Sequence, residues 1–279
     1  MKRYLYILVL LVAFLPAHAA HIDTLAVTSS RMHRDIRCIV LSPDAAQDTP
    51  EKRFPTVFLL HGWGGDGTTW LKCFPTLSAE CDTREVIFVA PDAESSWYLD
   101  SPLKEDSCFE TFVAEELTAY IDKHYPTIPL RTARAVTGYS MGGHGAFYLA
   151  FGHPKVFGAA GSMSGGVHLP PFPHKWDLDD VLGDPATHAD LWEKHSVVNR
   201  VEDLPMDGVT PLPALYFDCG EQDFFFDANC MLDQRLTERG IPHRFETRTG
   251  EHNYDFWRVS LRLHMDFFAE YFAKHYMSE

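Results

Sequence analysis

The apolar positions of this chain change period several times along its length. Asp23 to Thr28 and Asp35 to Leu41 alternate or cluster apolar residues in short runs, which predicts two strands. Ser42 to Pro55 is a polar, Pro-containing connection, and Thr56-Val57-Phe58-Leu59-Leu60 after it is continuously apolar, the pattern of a strand buried on both faces. From there strands and helices take turns: helix Thr68 to Ala79, strand Val86 to Ala90, helix Phe109 to His124, strand Arg134 to Thr137, helix Gly143 to Phe151 and strand Phe157 to Met163. Strand Ala214 to Asp218, helix Asp227 to Arg239, strand His243 to Thr247 and a closing helix from Tyr254 complete the series. Such alternation predicts an α/β chain with a mostly parallel sheet covered by helices, to which the two leading strands add an antiparallel edge.

Gly165 to Pro213 breaks the rhythm, being rich in Pro and Trp with only short helical patterns such as Ala189 to His195. Residues 165–213 are expected to form an insertion over the sheet, not a second domain. A chain of 279 residues accommodates one large α/β domain, and no internal repeat is present.

The first residues, MKRYLYILVLLVAFLPAHAA, place Lys2 and Arg3 before an apolar run and the small-residue pattern Ala17-His18-Ala19. This is the pattern of a secretory signal peptide over residues 1–19, leaving a domain of residues 20–279 that is secreted or periplasmic. Tyr4 to Leu15 is shorter than the roughly 20 apolar residues of a membrane span, so no stable membrane insertion is expected after cleavage. Loss of Lys2 and Arg3 moves the formal net charge from −15 to −17, which weighs against nucleic acid as a partner. The six cysteines permit disulfides in an exported chain, with fifteen possible pairings, and buried free thiols are the alternative. There is no CxxC and no HExxH, so no metal site is expected.

The candidate chemistry begins at Gly138-Tyr139-Ser140-Met141-Gly142, a G-x-S-x-G sequence between a predicted strand and a predicted helix, where a nucleophile elbow belongs. Ser164, in Gly161-Ser162-Met163-Ser164-Gly165, lacks the spacing and is expected to be a structural turn. A serine hydroxyl needs an imidazole to take its proton and a carboxylate to orient that imidazole, in the order Ser, acid, His on this architecture. Of the fifteen histidines, His252 stands in the polar loop between the last predicted strand and the final helix, whereas His243 and His264 fall inside a strand and a helix pattern. Asp223, just beyond the strand ending in Asp218, is the candidate acid; Glu221 and Glu251 are expected to be solvated and Asp227 to cap the next helix. Oxyanion donors are expected from the backbone of Met141, after the serine, and of Trp63, in the loop His61-Gly62-Trp63-Gly64-Gly65-Asp66-Gly67. His61 is expected to fix that loop by hydrogen bonding.

Together, Leu60 to Gly65, Gly138 to Gly143, Asp218 to Asp223 and Gly250-Glu251-His252 resemble the esterase D-like family over nearly all of the expected mature chain. That group of α/β-hydrolases includes tributyrin, feruloyl and acetyl xylan esterases, S-formylglutathione hydrolases and mycolyltransferases. Ser96 to Pro102 is similar to a segment near the acyl pocket of such enzymes, and Leu182-Gly183-Asp184-Pro185 to part of their insertion. The resemblance implies a single-domain α/β-hydrolase fold and hydrolysis of carboxylic esters through an acyl-enzyme, with no cofactor. Export favours a secreted serine carboxylesterase acting on a small-molecule or carbohydrate ester, with acetyl, other short-chain acyl or feruloyl groups. The alternatives are a thioesterase like S-formylglutathione hydrolase, a peptidase or an acyltransferase on the same residues, and a non-catalytic carbohydrate-binding protein. Trp63, Trp70, Trp97, Tyr98, Trp176, Phe224, Tyr254 and Trp257 lie near expected loops, to line a pocket or pack the core.

Overall fold

Alternate residues of one short strand decide the layering of the molecule, which is described by a computed structural model for residues 20–49 and 51–275. On β3 (Thr56–Leu60), Phe58 and Leu60 enter the core on one side of the sheet while Val57 and Leu59 enter the core on the other. A strand covered on both faces reads as an unbroken apolar run. The expected leader, residues 1–19, lies outside the described residues.

Among the described residues eight strands form one sheet: β1 (His21–Ser29), β2 (Arg34–Ser42), β3, β4 (Ile87–Pro91), β5 (Arg134–Tyr139), β6 (Ala159–Met163), β7 (Ala214–Gly220) and β8 (His243–Arg248). Their order is β1-β2-β4-β3-β5-β6-β7-β8. β1 pairs with β2, and β2 with β4, antiparallel; every other pair is parallel. The chain therefore has the mostly parallel sheet and antiparallel N-terminal edge of an α/β-hydrolase fold. Because β3, β5, β7 and β8 run in one direction, the loops after Leu60, Tyr139, Gly220 and Arg248 all leave the same edge, where a site can assemble.

A short helix α1 (Ala45–Asp48) lies in the β2–β3 connection. The single helix expected over Thr68 to Ala79 is two, α2 (Thr69–Cys73) and α3 (Leu77–Arg84). Pro75 stands between them, and a residue without an amide hydrogen interrupts the helical ladder. Phe109 to His124 is continuously helical, as α4 (Phe109–Thr111), a π-helical turn Phe112–Leu117 and α5 (Thr118–His124). α6 (Met141–Gly152) follows β5 and is buried over almost its whole length. Between β6 and β7 lie α7 (Leu178–Leu182), α8 (Ala189–Lys194) and α9 (Val197–Arg200). α10 (Phe226–Glu238) and α11 (Tyr254–His275) close the fold. Asp227 does not cap α10 as expected: the helix begins one residue earlier and Asp227 lies in its first turn, where its charge favours the positive end of the helix dipole.

The two cores share the sheet. Phe112, Phe147, Leu232 and Leu236 pack with Phe58 and Leu60, whereas Trp70, Leu77, Leu261 and Phe268 pack with Val57 and Leu59. All six cysteines are free thiols; Cys38 and Cys108 are buried in the first of these layers, Cys81 in the second, and Cys219 is buried on β7. Among the described residues no helix is long and apolar enough to cross a membrane.

Candidate active site

At the end of β5 the chain reverses sharply into α6, and Ser140 occupies the turn with φ 59° and ψ −119°. A positive φ in a residue with a side chain stores about 1–3 kcal/mol of strain, which the surroundings must hold in place. They do so from both sides: the Ser140 amide donates to the Met163 carbonyl at 3.0 Å, and the Ser140 carbonyl accepts from the amides of His144 at 3.1 Å and Gly166 at 3.2 Å. Gly142 lets the first turn of α6 lie against the end of β3, since a Cβ there would stand 2.0 Å from the Leu60 carbonyl oxygen.

The histidine and the acid reach this serine from the two neighbouring loops. His252 Nε2 is 2.9 Å from Ser140 Oγ, and His252 Nδ1 is 2.8 Å from Asp223 Oδ2. Asp223 Oδ1 accepts the Phe225 amide at 2.8 Å, which orients the carboxylate. With a carboxylate beside Nδ1, the proton of a neutral imidazole sits there and leaves the Nε2 lone pair facing the hydroxyl. The carboxyl end of Asp223 is fully buried and His252 is mostly so. The two loops are laced together: Glu221 donates its amide to the Arg248 carbonyl at 3.0 Å, Gln222 to that of Gly250 at 3.0 Å, and Gly250 to Gln222 Oε1 at 2.8 Å.

Ser164 also has a positive φ, 47°, but it is fully buried and its amide donates to the Asp218 carbonyl at 2.8 Å; it forms a turn, as expected. His243 bonds Asp233 at the start of its strand, His264 is buried beneath the site, and Glu221 and Glu251 are exposed.

On the oxyanion side, Met141 is the first residue of α6, so its amide is one of the donors a helix start leaves unpaired. The Gly62 carbonyl accepts from the Gly65 amide at 3.1 Å and from His61 Nδ1 at 2.8 Å. A planar trans peptide directs its N–H opposite to its C=O, so the Trp63 amide points away from the His61 ring. Gly62 itself lies against the elbow, where a Cβ on it would be 3.4 Å from Ser140 Cβ. His61 Nε2 accepts the Ala93 amide at 2.9 Å. One ring nitrogen donating and the other accepting defines a neutral imidazole, and burial pushes its pKa down in agreement. His61 is therefore a brace for the loop, not a base.

Aromatic rings wall the mouth. Phe224, half exposed, lies with its ring 4.2 Å from that of His252, and Trp176 stacks on Phe224 at 5.5 Å. Trp63, also about half exposed, donates its indole N–H to Asp177 Oδ2 at 2.8 Å. Asp177 and Trp176 have left-handed backbones, φ 58° and 54°. Asp177 further lines a polar cleft of about 290 Å³ with Arg34, Glu94, Ser96 and Lys104. Trp70 and Tyr98 belong to the core, and the Tyr98 hydroxyl donates to the His61 carbonyl at 3.1 Å. The Trp63–Asp177 bond had no local signal in the chain, because its partners are far apart in sequence.

The family model "Putative esterase" matches residues 29–267 of this chain. An acetyl esterase of Caldicellulosiruptor saccharolyticus is 26% identical over 236 residues, covering 75% of this chain and 85% of that one. An esterase of Mycobacterium tuberculosis is 27% identical over 246 residues; the match covers 80% of this chain but only 54% of that longer protein. Among solved structures, a ferulic acid esterase superposes with a TM-score of 0.78 at 26% identity, covering 91% of this chain and 99% of the other.

Proposed function

Because the chain belongs to the esterase D-like family of α/β-hydrolases, we propose that it is a serine carboxylesterase in which Ser140 attacks an ester carbonyl. His252 takes the hydroxyl proton on Nε2 as the Oγ–C bond forms, and Asp223 holds the imidazole in the required tautomer and stabilises the imidazolium. The amides of Met141 and Trp63 receive the developing oxyanion. Collapse of the tetrahedral intermediate expels the alcohol, which takes its proton from His252. Water, deprotonated by the same imidazole, then releases the acid from Ser140.

The observation that carries this reading is the unbroken run of hydrogen bonds from Asp223 through His252 to Ser140, 2.8 Å and 2.9 Å long, ending on a strained elbow. The aromatic wall formed by Phe224 and Trp176 suits an apolar or aryl acyl group, and the polar cleft beside Asp177 suits a hydroxyl-rich alcohol such as a sugar. Acetyl, short-chain or feruloyl esters of carbohydrates are thus the proposed substrates. Residues 165–213 are proposed as the insertion that shapes this mouth, and residues 1–19 as a leader that directs the enzyme to the periplasm or medium.

The test is Ser140→Ala assayed on nitrophenyl acetate, butyrate and a feruloyl ester. A folded variant is expected to retain no measurable triad-dependent hydrolysis and to resist fluorophosphonate labelling. Undiminished turnover would remove Ser140 from the mechanism.

A further inference from the structure

Directly beneath the Ser140, His252 and Asp223 set lies a second sequence of hydroxyl, imidazole and carboxylate. Thr137 Oγ1 is 2.8 Å from His264 Nδ1, and His264 Nε2 is 3.3 Å from Asp218 Oδ1. All three residues are fully buried, so no substrate reaches them and they form no second catalytic centre. Arg248 completes the group: Nη1 donates to Asp218 Oδ2, and Nη2 donates to the Phe256 carbonyl at 3.0 Å and to Ser260 Oγ. Its guanidinium also lies 3.5 Å over the Phe256 ring. Burial acts to raise the Asp218 carboxyl, but the hydrogen bond from His264 and the charge of Arg248 act against it, and the balance lowers the group and keeps it ionised.

Each member belongs to a segment that presents a member of the upper set. Thr137 lies on β5, which leads into Ser140, Asp218 lies on β7, which leads to Asp223, and Arg248 ends β8 just before the His252 loop. His264 and Ser260 lie on α11, which follows that loop. Arg248 thus ties the strand carrying the acid to the start of the loop carrying the histidine, and His264 ties both to the strand carrying the serine. A planar five-donor fork can serve Asp218, Phe256 and Ser260 at once, which an ammonium cannot do in the same geometry.

We propose that Arg248, Asp218, His264 and Thr137 are positioning residues, a largely buried network that sets the spacing of the acid, histidine and serine segments and so keeps His252 Nε2 in line with Ser140 Oγ. This inference rests on the esterase reading above. It assigns a purpose to an ion pair between a fully buried carboxylate and a partly exposed guanidinium, a kind of contact that as a source of stability alone is often no better than apolar packing.

The experiment is a double-mutant cycle on kcat between Arg248→Lys and Asp223→Ala. In the parent enzyme Arg248→Lys is expected to lower kcat by about tenfold to a hundredfold, the scale of an ångström-level misalignment, with KM changed less than about twofold. In the Asp223→Ala background, where the imidazole has already lost its orientation, the same change is expected to lower kcat by less than about twofold. An equal loss in both backgrounds, or no loss in the parent, overturns the proposal. If Arg248→Lys does not melt cooperatively, Thr137→Val carries the same cycle with an expected loss of about threefold to tenfold, since it removes one hydroxyl and keeps the side-chain shape. Failure of the esterase reading looks different: Asp223→Ala and Ser140→Ala would then themselves leave turnover intact.

Discussion

Gly142→Ala tests whether the elbow is as tightly seated as the geometry requires. A methyl group at this position would stand 2.0 Å from the Leu60 carbonyl oxygen, 2.5 Å from its carbon and 2.7 Å from the His61 carbonyl oxygen. A carbon does not approach a carbonyl oxygen much closer than about 3 Å, so the start of α6 and the end of β3 must separate by about 1 Å. These three nearest atoms are all backbone, so no side chain swinging aside relieves them. Overpacking of this kind costs about 1–3 kcal/mol of stability. The catalytic loss should be larger, because Met141 rides on α6 while Trp63 follows β3, and the displacement pulls the two proposed oxyanion donors apart. Misplacement by about 1 Å can cost about a hundredfold in rate. The expected result is a kcat on nitrophenyl butyrate reduced by about a hundredfold, KM changed little, and a lowered denaturation midpoint in urea. A variant with parental kcat and midpoint would refute the close approach of helix and strand.

Two substitutions and a pH series probe separate parts of the molecule. His61→Phe keeps a ring but removes the donor to Gly62 and the acceptor for Ala93; stability should fall by about 1–3 kcal/mol and kcat by more than KM changes, both read on the purified variant. Phe224→Ala should raise KM for feruloyl esters by about two- to tenfold while acetyl esters respond less, and an equal effect on both would assign the ring to holding His252 instead. His144 and His195 are buried, and burial lowers both to about 4 from an ordinary value near 6.5. Between those values the unfolded chain binds protons that the folded one refuses, so stability is full above pH 6.5 and falls as pH drops toward 4. Each histidine contributes up to about 1.4 kcal/mol per pH unit in that window, measurable by urea unfolding at pH 7, 5.5 and 4.5. A flat profile would mean that the imidazoles are not held neutral.

The parts of the fold that follow from local pattern were legible in the chain. The two-faced burial of β3 shows as a continuous apolar run, and Ser140, Asp223 and His252 stand in the order and at the strand ends that their proposed roles require. Less local features were not. The break in the helix after β3 turned on Pro75, whose effect competes with an otherwise helical pattern around it. Asp218 could be recognised as a strand residue, but its ion pair with Arg248 joins β7 to the end of β8, and neither residue's neighbours in sequence signal the other. His264 fitted a helical pattern that left packing and exposure equally open; its contact with Thr137 spans much of the chain. Periodicity shows which face of an element is buried but not which polar group it meets there.

The bond from the Trp63 indole to Asp177 also bears on how such an enzyme diversifies. Connecting segments like 165–213, between β6 and β7, are where natural or laboratory variation would adjust ligand preference most freely, were they independent of the chemistry beneath. Here one end of that segment is fastened to the loop that carries a proposed oxyanion donor, so a transplanted segment without an acceptor at position 177 would alter turnover along with preference. Selection for new specificity in this scaffold should therefore find paired changes at positions 63 and 177 more readily than exchange of the segment as a whole.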